Sequence, residues 1–318
     1  MIFLSVKKSK IKKSKIKKSN IPMYPIVYGI FYLLSLLPWR VLYLISDGLY
    51  LLVYYIIGYR KKVVFQNLEI AFPEKTVEER TRIAKDFYHN FIDSFIETIK
   101  LLSVSETSFR KRFTVNIEVL NDLYAGKQNV QIVAGHYFNW EFANLGVSLD
   151  SKFPFIGVYM PLSNKIFDKL IYKLRTKFGT LLVPANEFKN NFHFYAKNRY
   201  ALGLVADQNP GNPGKAYWTH FFGKPAPFAR GPEKGAKMNH TAIVYANFYK
   251  VKRGYYRLDF ELITTEPNEY ADGVLTQLLV RKVEDSVRKM PANYLWSHRR
   301  WKWSHEYEKY KHLMVEQM

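Results

Sequence analysis

Residues 130–141 read Val-Gln-Ile-Val-Ala-Gly-His-Tyr-Phe-Asn-Trp-Glu, and this stretch decides the fold class. Val130 to Ala134 is a short apolar run with the length and composition of a buried strand. Gly135 breaks the run, and Asn139 is a residue type favoured at the N-cap of a helix. The stretch therefore predicts a strand, a loop and then a helix, which is the repeating unit of parallel α/β sheets.

His136 and Glu141 are the two residues of this stretch best suited to carry chemistry. On one helix or one strand, a spacing of five points two side chains apart. They meet only if His136 lies in the loop and Glu141 in the first helical turn. The carboxylate then holds the imidazole in one tautomer and leaves the other nitrogen free to take a proton from a hydroxyl. The alternative is a histidine and a surface acid that do not touch.

Further apolar runs repeat the strand pattern along the chain, and helical segments lie between several of them. We predict strands at Val130–Ala134, Phe155–Tyr159, Thr180–Val183, Ala201–Ala206, Ala242–Tyr249 and Tyr256–Leu262, and helices at Val77–Leu102, Asn164–Phe178 and Pro232–Met238. Strands that alternate with helices predict an α/β fold with a mostly parallel mixed sheet flanked by helices. Functional sites in such folds form at the carboxyl ends of the strands.

The composition limits the possible chemistry and partners. The chain has no cysteine, which excludes disulfides, a cysteine nucleophile and thiolate metal sites. Its formal net charge of +21 indicates an acidic partner: nucleic acid, an anionic membrane, a phosphorylated substrate or an acidic protein. Aromatic residues make up 17% of the chain, which suits contact with lipid or an apolar ligand. The sequence shows neither a metal-binding cluster nor a glycine-rich nucleotide loop, so we expect no metal and no cofactor.

The first twenty residues differ from the rest of the chain. They contain eight lysines, and Ser-Lys-Ile-Lys-Lys occurs twice in tandem at 9–13 and 14–18. A low-complexity segment of this kind has too few apolar side chains to pack. We expect residues 1–20 to be a disordered lysine-rich arm.

Two apolar stretches follow this arm. Residues 21–39 carry no charge, and residues 41–58 carry only Asp47. Each approaches the ~20 residues that a membrane-spanning helix needs. Basic residues flank the pair on both sides, which favours the cytoplasm for both ends. We therefore predict a membrane anchor or interfacial helical hairpin at 21–60, turning near Pro38, and a domain that carries the activity at 61–318. A pair of buried helices in a soluble domain is the alternative.

Four further segments accompany the His136 motif in a fixed order. They are Asn67-Leu-Glu-Ile-Ala-Phe-Pro-Glu74, Tyr159-Met-Pro-Leu162 with Asp168 and Arg175 downstream, Ala206-Asp-Gln-Asn-Pro210 with Phe221-Phe-Gly-Lys-Pro-Ala226, and Tyr294-Leu-Trp-Ser-His-Arg-Arg-Trp-Lys302. Over residues 24–305 the chain resembles the late acyltransferases of lipid A biosynthesis, the HtrB-like branch of the lysophospholipid acyltransferase superfamily.

This resemblance implies transfer of a fatty acyl chain from acyl carrier protein to a hydroxyl of a lipid A precursor, a phosphorylated glycolipid. It implies an inner-membrane enzyme whose catalytic domain faces the cytoplasm, with His136 as general base and Glu141 as the other member of the dyad. The apolar N-terminal region argues for lipid, and we expect no nucleic acid partner. Two alternatives stay open: an acyltransferase for an aminolipid, glycerophospholipid or mannosylated lipid, and a non-catalytic membrane-tethered protein that binds anionic lipid.

A second group of residues is predicted to bind substrate. It consists of Asp168, Arg175, Asp207, Gln208, Arg230, Arg299 and Arg300. The resemblance places an arginine in the active site, so Arg175 is a candidate to hold a phosphate or an oxyanion, against an ordinary surface pair with Asp168. Asp207 and Gln208 follow a predicted strand, where they form either a site or a structural turn.

The remaining basic candidates lie in the last third of the chain. Arg230 precedes a predicted helix start, a position that favours phosphate, although many helices begin this way without a ligand. Arg299 and Arg300 lie in a strip where basic residues alternate with tryptophans. Such a strip suits a membrane–water interface and lipid phosphates, or it is a packed C-terminal segment.

Overall fold

The structure is a computed structural model, and it describes residues 23–315. The predicted lysine arm at 1–20 lies outside the described residues. The strands of the described part are β1 Phe113–Asn116, β2 Val130–Ala134, β3 Phe155–Tyr159, β4 Leu181–Pro184, β5 Ala201–Val205, β6 Ala216–Phe221, β7 Lys224–Ala229, β8 Ala242–Lys252 and β9 Tyr255–Thr264.

Helices flank these strands. The α-helices are α1 Tyr24–Leu36, α2 Trp39–Leu51, α3 Lys61–Ala71, α4 Val77–Leu101, α5 Glu106–Arg110, α6 Glu118–Ala125, α7 Trp140–Asp150, α8 Lys165–Arg175, α9 Phe188–Tyr195, α10 Gly231–Asn239, α11 Val274–Lys289 and α12 Tyr307–Tyr310. A π-helical segment at Leu52–Ile57 continues α2, and short 3-10 helices lie at Pro213–Lys215, Pro267–Glu269, Pro291–Asn293, Ser304–Glu306 and Lys311–Leu313.

Seven strands form one sheet in the order β1-β9-β8-β2-β5-β3-β4. Every neighbouring pair is parallel except β8 and β9, which form an antiparallel hairpin. This confirms the prediction of an α/β fold with a mostly parallel mixed sheet flanked by helices. The carboxyl ends of β2, β5, β3 and β8 consequently meet at one edge of the sheet.

The six predicted strands are present, with end shifts of a few residues, and the predicted helices correspond to α4, α8 and α10. Helix α4 begins after Thr76, which forms a reciprocal capping box with Glu79. Three strands were not predicted. β1 has only four residues, and β7 contains Pro225 and Pro227, which remove ladder donors and are typical of loops. β6 and β7 pair only with each other, as a separate hairpin.

Helices α1 and α2 are separated at Leu37 and Pro38, close to the predicted turn. Their outward side chains are apolar and exposed, for example Leu33 at 67% and Leu44 at 71%. Among the described residues, one helical stretch, Trp39–Ile57, has the length and apolar composition of a membrane span. The N-terminal region is therefore apolar on its outer side.

The inner side of α2 is polar and is fixed to the rest of the protein. Ser46 Oγ donates to Asp93 Oδ1 of α4 at 2.7 Å, and Arg253 of the β8–β9 turn donates to Asp47 Oδ1 at 2.6 Å. Tyr43 Oη donates to the buried Glu97 at 3.0 Å. These contacts hold α2 along the flank of the α/β sheet.

Candidate active site

His136 and Asp207 come together because of the strand register. Ala134 at the end of β2 lies opposite Val205 at the end of β5. Each functional residue follows two positions later, so the two side chains emerge side by side at the carboxyl edge. His136 Nδ1 lies 2.5 Å from Asp207 Oδ1. The Asp207 side chain is buried, with 1% of its surface exposed, whereas the His136 side chain is 23% exposed.

The charge of Asp207 determines what His136 can do. Burial by itself raises the pKa of Asp207. The charge of His136 and the hydrogen bonds of His136 and Tyr294 together outweigh burial and lower this pKa to about 2. An ionised carboxylate only accepts hydrogen bonds, so Nδ1 of His136 must carry the proton. In the neutral imidazole the Nε2 atom is then the nitrogen that can accept a proton.

Glu141 does not hold His136, and this corrects the sequence-based expectation. Asn139 caps α7 as predicted, and its side chain accepts the Glu141 amide at 3.2 Å. The Glu141 carboxylate then turns to α8, where Arg175 Nε lies 3.0 and 2.9 Å from its two oxygens and Nη2 lies 2.6 Å from Oε1. Trp140 Nε1 donates to the same Oε1 at 3.0 Å. Arg175, at the end of α8, binds the Glu141 carboxylate because its guanidinium can donate two hydrogen bonds to the two oxygens at once.

Arg175 is charged in this pair. Burial by itself disfavours the guanidinium charge, but the adjacent Glu141 carboxylate raises the pKa of Arg175 above its ordinary value. Glu141 is 4% exposed, and the Arg175 side chain is 21% exposed. The hydrogen bonds to Glu141 use Nε and Nη2 of Arg175. The Nη1 group takes no part in these bonds.

The Glu141–Arg175 pair gives a stability prediction. Replacing Glu141 with glutamine is expected to lower the free energy of unfolding by about 3 kcal/mol, because a largely buried guanidinium loses its counter-ion. The double variant Glu141→Gln, Arg175→Met is expected to recover part of that loss, since it removes the unpaired charge. Thermal denaturation of the purified variants checks both. A double variant less stable than the single one would contradict this account of the pair.

Asp168 has a local partner. It lies in the first turn of α8, and its Oδ1 accepts the backbone amide of Leu162 at 2.7 Å. Leu162 belongs to the loop that follows β3. Asp168 therefore fixes this loop to α8, and its predicted contact with substrate stays a prediction.

The segment after α11 encloses His136 from the other side. Leu295 N donates to the His136 carbonyl at 3.1 Å, and Phe138 N donates to the Asn293 carbonyl at 3.0 Å. Asn67 Nδ2 of α3 reaches the Trp296 and His298 carbonyls, each at 2.7 Å. Segments far apart in the chain thus lock the loop that carries His136.

Arg300 is buried and charged, but it has no ion pair among the described residues. Its Nη1 donates to Asn209 Oδ1 at 3.0 Å, and its Nη2 donates to the Pro227 carbonyl at 2.9 Å. The guanidinium lies 3.9 Å from the centre of the Phe228 ring. Burial lowers the pKa of Arg300 to about 10, which still leaves it charged at neutral pH. Its Nε atom is buried without a hydrogen-bond partner.

Three other residues were predicted to bind substrate: Arg299, Gln208 and Arg230. Arg299 is exposed, and its carbonyl accepts Asn209 Nδ2 at 2.6 Å. Gln208 is half-buried next to Asp207. Arg230 precedes α10 with its guanidinium 4.7 Å from the Tyr217 ring, and its Nε is buried without a partner.

The sequence analysis did not single out Asn209 or Tyr294. Tyr294 is buried and its phenol lies close to the Asp207 carboxylate, whose negative charge, after burial, contributes to a pKa of Tyr294 well above its ordinary value. Both residues belong to motifs that carry the family resemblance, which is the signal that points to them. Trp296 and Trp301 are in the core, so the interfacial interpretation of the tryptophan strip is wrong for these two.

An apolar cavity adjoins the Asp207 side of the pair. It has a volume of only about 20 Å³ and lies between the ends of β2 and β5, the start of α10 and one face of α11. The residues that line it include Ala134, Ala206, Phe228, Leu279 and Val283. Apart from Asp207 and Thr276, its walls are apolar, but the cavity as it stands is too small to hold a hydrocarbon chain.

His298 gives a prediction about pH. Burial and then the nearby Arg300 charge lower the pKa of His298 to about 4, from about 6.5 in an unfolded chain. Between these values the unfolded state binds a proton that the folded state does not, so stability falls as pH drops from about 6.5 to about 4. Asp207 contributes a further loss of stability only below about pH 4, because its pKa in the folded protein is lower than the ordinary value near 3.9.

Replacing His298 with glutamine is therefore expected to flatten the fall in stability between pH 6.5 and pH 4, because glutamine does not titrate. Denaturant unfolding of the wild type and of His298→Gln across this interval measures the difference. Equal slopes in the two proteins would show that His298 is not the group responsible.

Taken together, the fold and this site define an α/β protein with a histidine–carboxylate pair at the carboxyl edge of its parallel strands and an apolar cavity beside it. The sequence profile of the bacterial lipid A biosynthesis acyltransferases matches residues 11–303. The chain belongs to this family of acyltransferases.

Curated relatives agree with the family match. The chain is 24% identical over 279 residues to the lipid A biosynthesis lauroyltransferase of Escherichia coli K12, a match that covers 86% of this chain and 89% of the relative. It is 21% identical over 280 residues to the lipid A biosynthesis palmitoleoyltransferase of the same organism, with the same coverage. A lipid A biosynthesis acyltransferase of Shigella flexneri shows the same 21% identity.

Proposed function

We propose that the protein transfers a fatty acyl chain from the thioester of acyl carrier protein to a hydroxyl of a lipid A precursor. The observation that carries the proposal is the His136–Asp207 pair, in which the carboxylate contacts Nδ1 and Nε2 is the nitrogen that can act as a base, in a member of the lipid A acyltransferase family. A thioester carbonyl is already electrophilic, so the enzyme mainly needs a base for the acceptor hydroxyl and a donor for the oxyanion.

The proposed reaction has two steps. His136 Nε2 takes the proton of the acceptor hydroxyl, and the alkoxide oxygen attacks the thioester carbonyl carbon to form a tetrahedral intermediate. The C–S bond then breaks, the carbonyl reforms as an ester, and the imidazolium returns its proton to the departing thiolate of the carrier. Asp207 stabilises the imidazolium between the two steps. In this proposal Glu141 acts indirectly, by holding Arg175, which binds the oxyanion or a phosphate.

The positive groups around the site support a phosphorylated acceptor. Arg230 and Arg300 each have a buried Nε without a hydrogen-bond partner, and Arg299 is exposed. Arginine suits phosphate because it donates two parallel hydrogen bonds. The basic balance of the chain would also steer an acidic carrier protein towards it.

We further propose that the protein lies at the cytoplasmic side of the inner membrane, with 21–60 as an interfacial hairpin. The exposed apolar side of α1 and α2 supports contact with lipid. A helix that crossed the bilayer would have to leave the domain, yet Asp47 pairs with Arg253 and Ser46 bonds to Asp93. Arg60, Lys61 and Lys62 after the hairpin favour the cytoplasm.

Acyl transfer in reconstituted vesicles tests this proposal. The protein is incubated with acyl carrier protein that bears a radiolabelled acyl chain. Separate reactions contain a lipid A precursor, a glycerophospholipid or an aminolipid. We expect label only in the lipid A precursor, and none when acyl-coenzyme A replaces the carrier. Label in another lipid instead would reassign the acceptor, and the absence of label from every lipid would overturn the acyltransferase proposal.

A further inference from the structure

A short exposed apolar loop follows β3 at the edge of the sheet that carries His136. β3 is parallel to β5, so this loop emerges at the same edge as Asp207. Met160 is 71% exposed and Leu162 is 43% exposed. The position of the loop is fixed, because Asp168 of α8 accepts a hydrogen bond from the Leu162 amide. Apolar side chains are thus held facing outwards at the entrance of the site.

This loop is continuous with the N-terminal helices. Phe167 of α8 is 41% exposed, and its ring makes an edge-on contact with Phe31 of α1 at 5.8 Å between ring centres. Helix α1 itself exposes Ile30 at 60% and Leu33 at 67%. The apolar surface of α1 therefore extends across α8 to the loop.

Lysines run along α8 beside this apolar surface. Lys169 Nζ lies 4.1 Å from the centre of the Tyr24 ring, and Lys173 Nζ lies 3.9 Å from that of Tyr28. Lys165 continues the row one helical turn earlier. Among the described carboxylates, none forms an ion pair with these three lysines. Uncompensated positive charge next to exposed apolar side chains matches the headgroup region of an anionic bilayer.

We propose that Met160, Leu162 and Phe167 insert into the same bilayer surface as α1, while Lys165, Lys169 and Lys173 bind its anionic headgroups. The loop after β3 then forms the rim through which a lipid acceptor passes from the membrane to His136. This inference rests on the proposed membrane location and adds a second contact with lipid, at the site itself. An acidic carrier protein fits the lysines but not the exposed apolar tip.

The absence of cysteine from the natural chain allows a direct test. Single cysteines replace Met160, Met238 or Leu44 in the full-length protein, and each carries an environment-sensitive fluorophore. Met238 is the matched control: it is 77% exposed, against 71% for Met160, but it precedes β8 and so lies at the opposite edge of the sheet. Leu44 of α2, 71% exposed, reports the proposed membrane contact of the hairpin.

The labelled proteins are mixed with vesicles of anionic phospholipid, with and without bromine on the acyl chains. We expect the label at 160 to shift its emission to the blue and to lose intensity with brominated lipid, as at 44, and the label at 238 to do neither. Quenching at 44 but not at 160 would overturn this inference and leave the membrane location standing. No quenching at either 44 or 160 would overturn both the membrane location and this inference. A label at 160 that responds to acyl carrier protein and not to lipid would assign the surface to the carrier instead.

Discussion

Replacing His136 with alanine is expected to reduce acyl transfer by about three orders of magnitude or more, because the acceptor hydroxyl loses its general base. The protein should still fold and stay with the membrane, because the backbone of residue 136 keeps its hydrogen bond with Leu295. Initial rates with acyl carrier thioester and lipid A precursor in vesicles measure the effect.

The control for this variant is His305→Ala. The His305 side chain is 73% exposed, lies in a short 3-10 helix outside the motifs that carry the site and contacts Glu306, so its loss should leave the rate unchanged. Turnover in His136→Ala close to that of His305→Ala would contradict the assignment of His136 as the base.

Replacing Asp207 with asparagine is expected to reduce the rate by about three to four orders of magnitude, in line with the same change in other histidine–carboxylate sites. An asparagine amide can donate to Nδ1 and so place the ring proton on Nε2, which removes the base. It also lacks the negative charge that stabilises the imidazolium. Circular dichroism establishes that the variant is folded before its rate is compared.

Glu141→Gln is the matched comparison for Asp207→Asn. Both changes replace a buried carboxylate with its amide, but only Asp207 contacts His136. Measured below its lowered melting temperature, Glu141→Gln should lose less activity than Asp207→Asn. The reverse order would restore Glu141 as the residue that orients His136.

The local sequence was sufficient to predict the unit that carries His136. The strand Val130–Ala134, the helix cap at Asn139 and the position of Glu141 in the first turn are all present. These features depend on neighbours in the chain, so periodicity and capping preferences predict them.

The partner of His136 depends on the order of strands in the sheet. β3 follows β2 in the chain, but β5 lies between them. The order of the strands results from packing between distant segments, so the pattern of residues within one segment does not predict it. Two equivalent positions, each two residues after a strand end, became adjacent only through the β2–β5 pairing. The sequence analysis placed Asp207 at a strand end but did not connect it with His136.

Glu141 and the N-terminal helices also have partners that lie far away in the sequence, so local patterns did not predict these contacts. A carboxylate five residues from a histidine suggests a dyad, yet Arg175 competes for it from a helix 34 residues further along the chain. The outer face of α2 is apolar enough to predict lipid contact, whereas its polar inner contacts to Asp93 and Glu97 require tertiary structure to be seen.

The most direct test of the central claim is a comparison of single-turnover rates for His136→Ala, Asp207→Asn and the double variant. If Asp207 acts through His136, the double variant should be no slower than His136→Ala alone, because residues that act as a unit have non-additive effects. If Asp207→Asn lowers the rate further when His136 is already absent, the two residues act independently and the proposed pair is wrong.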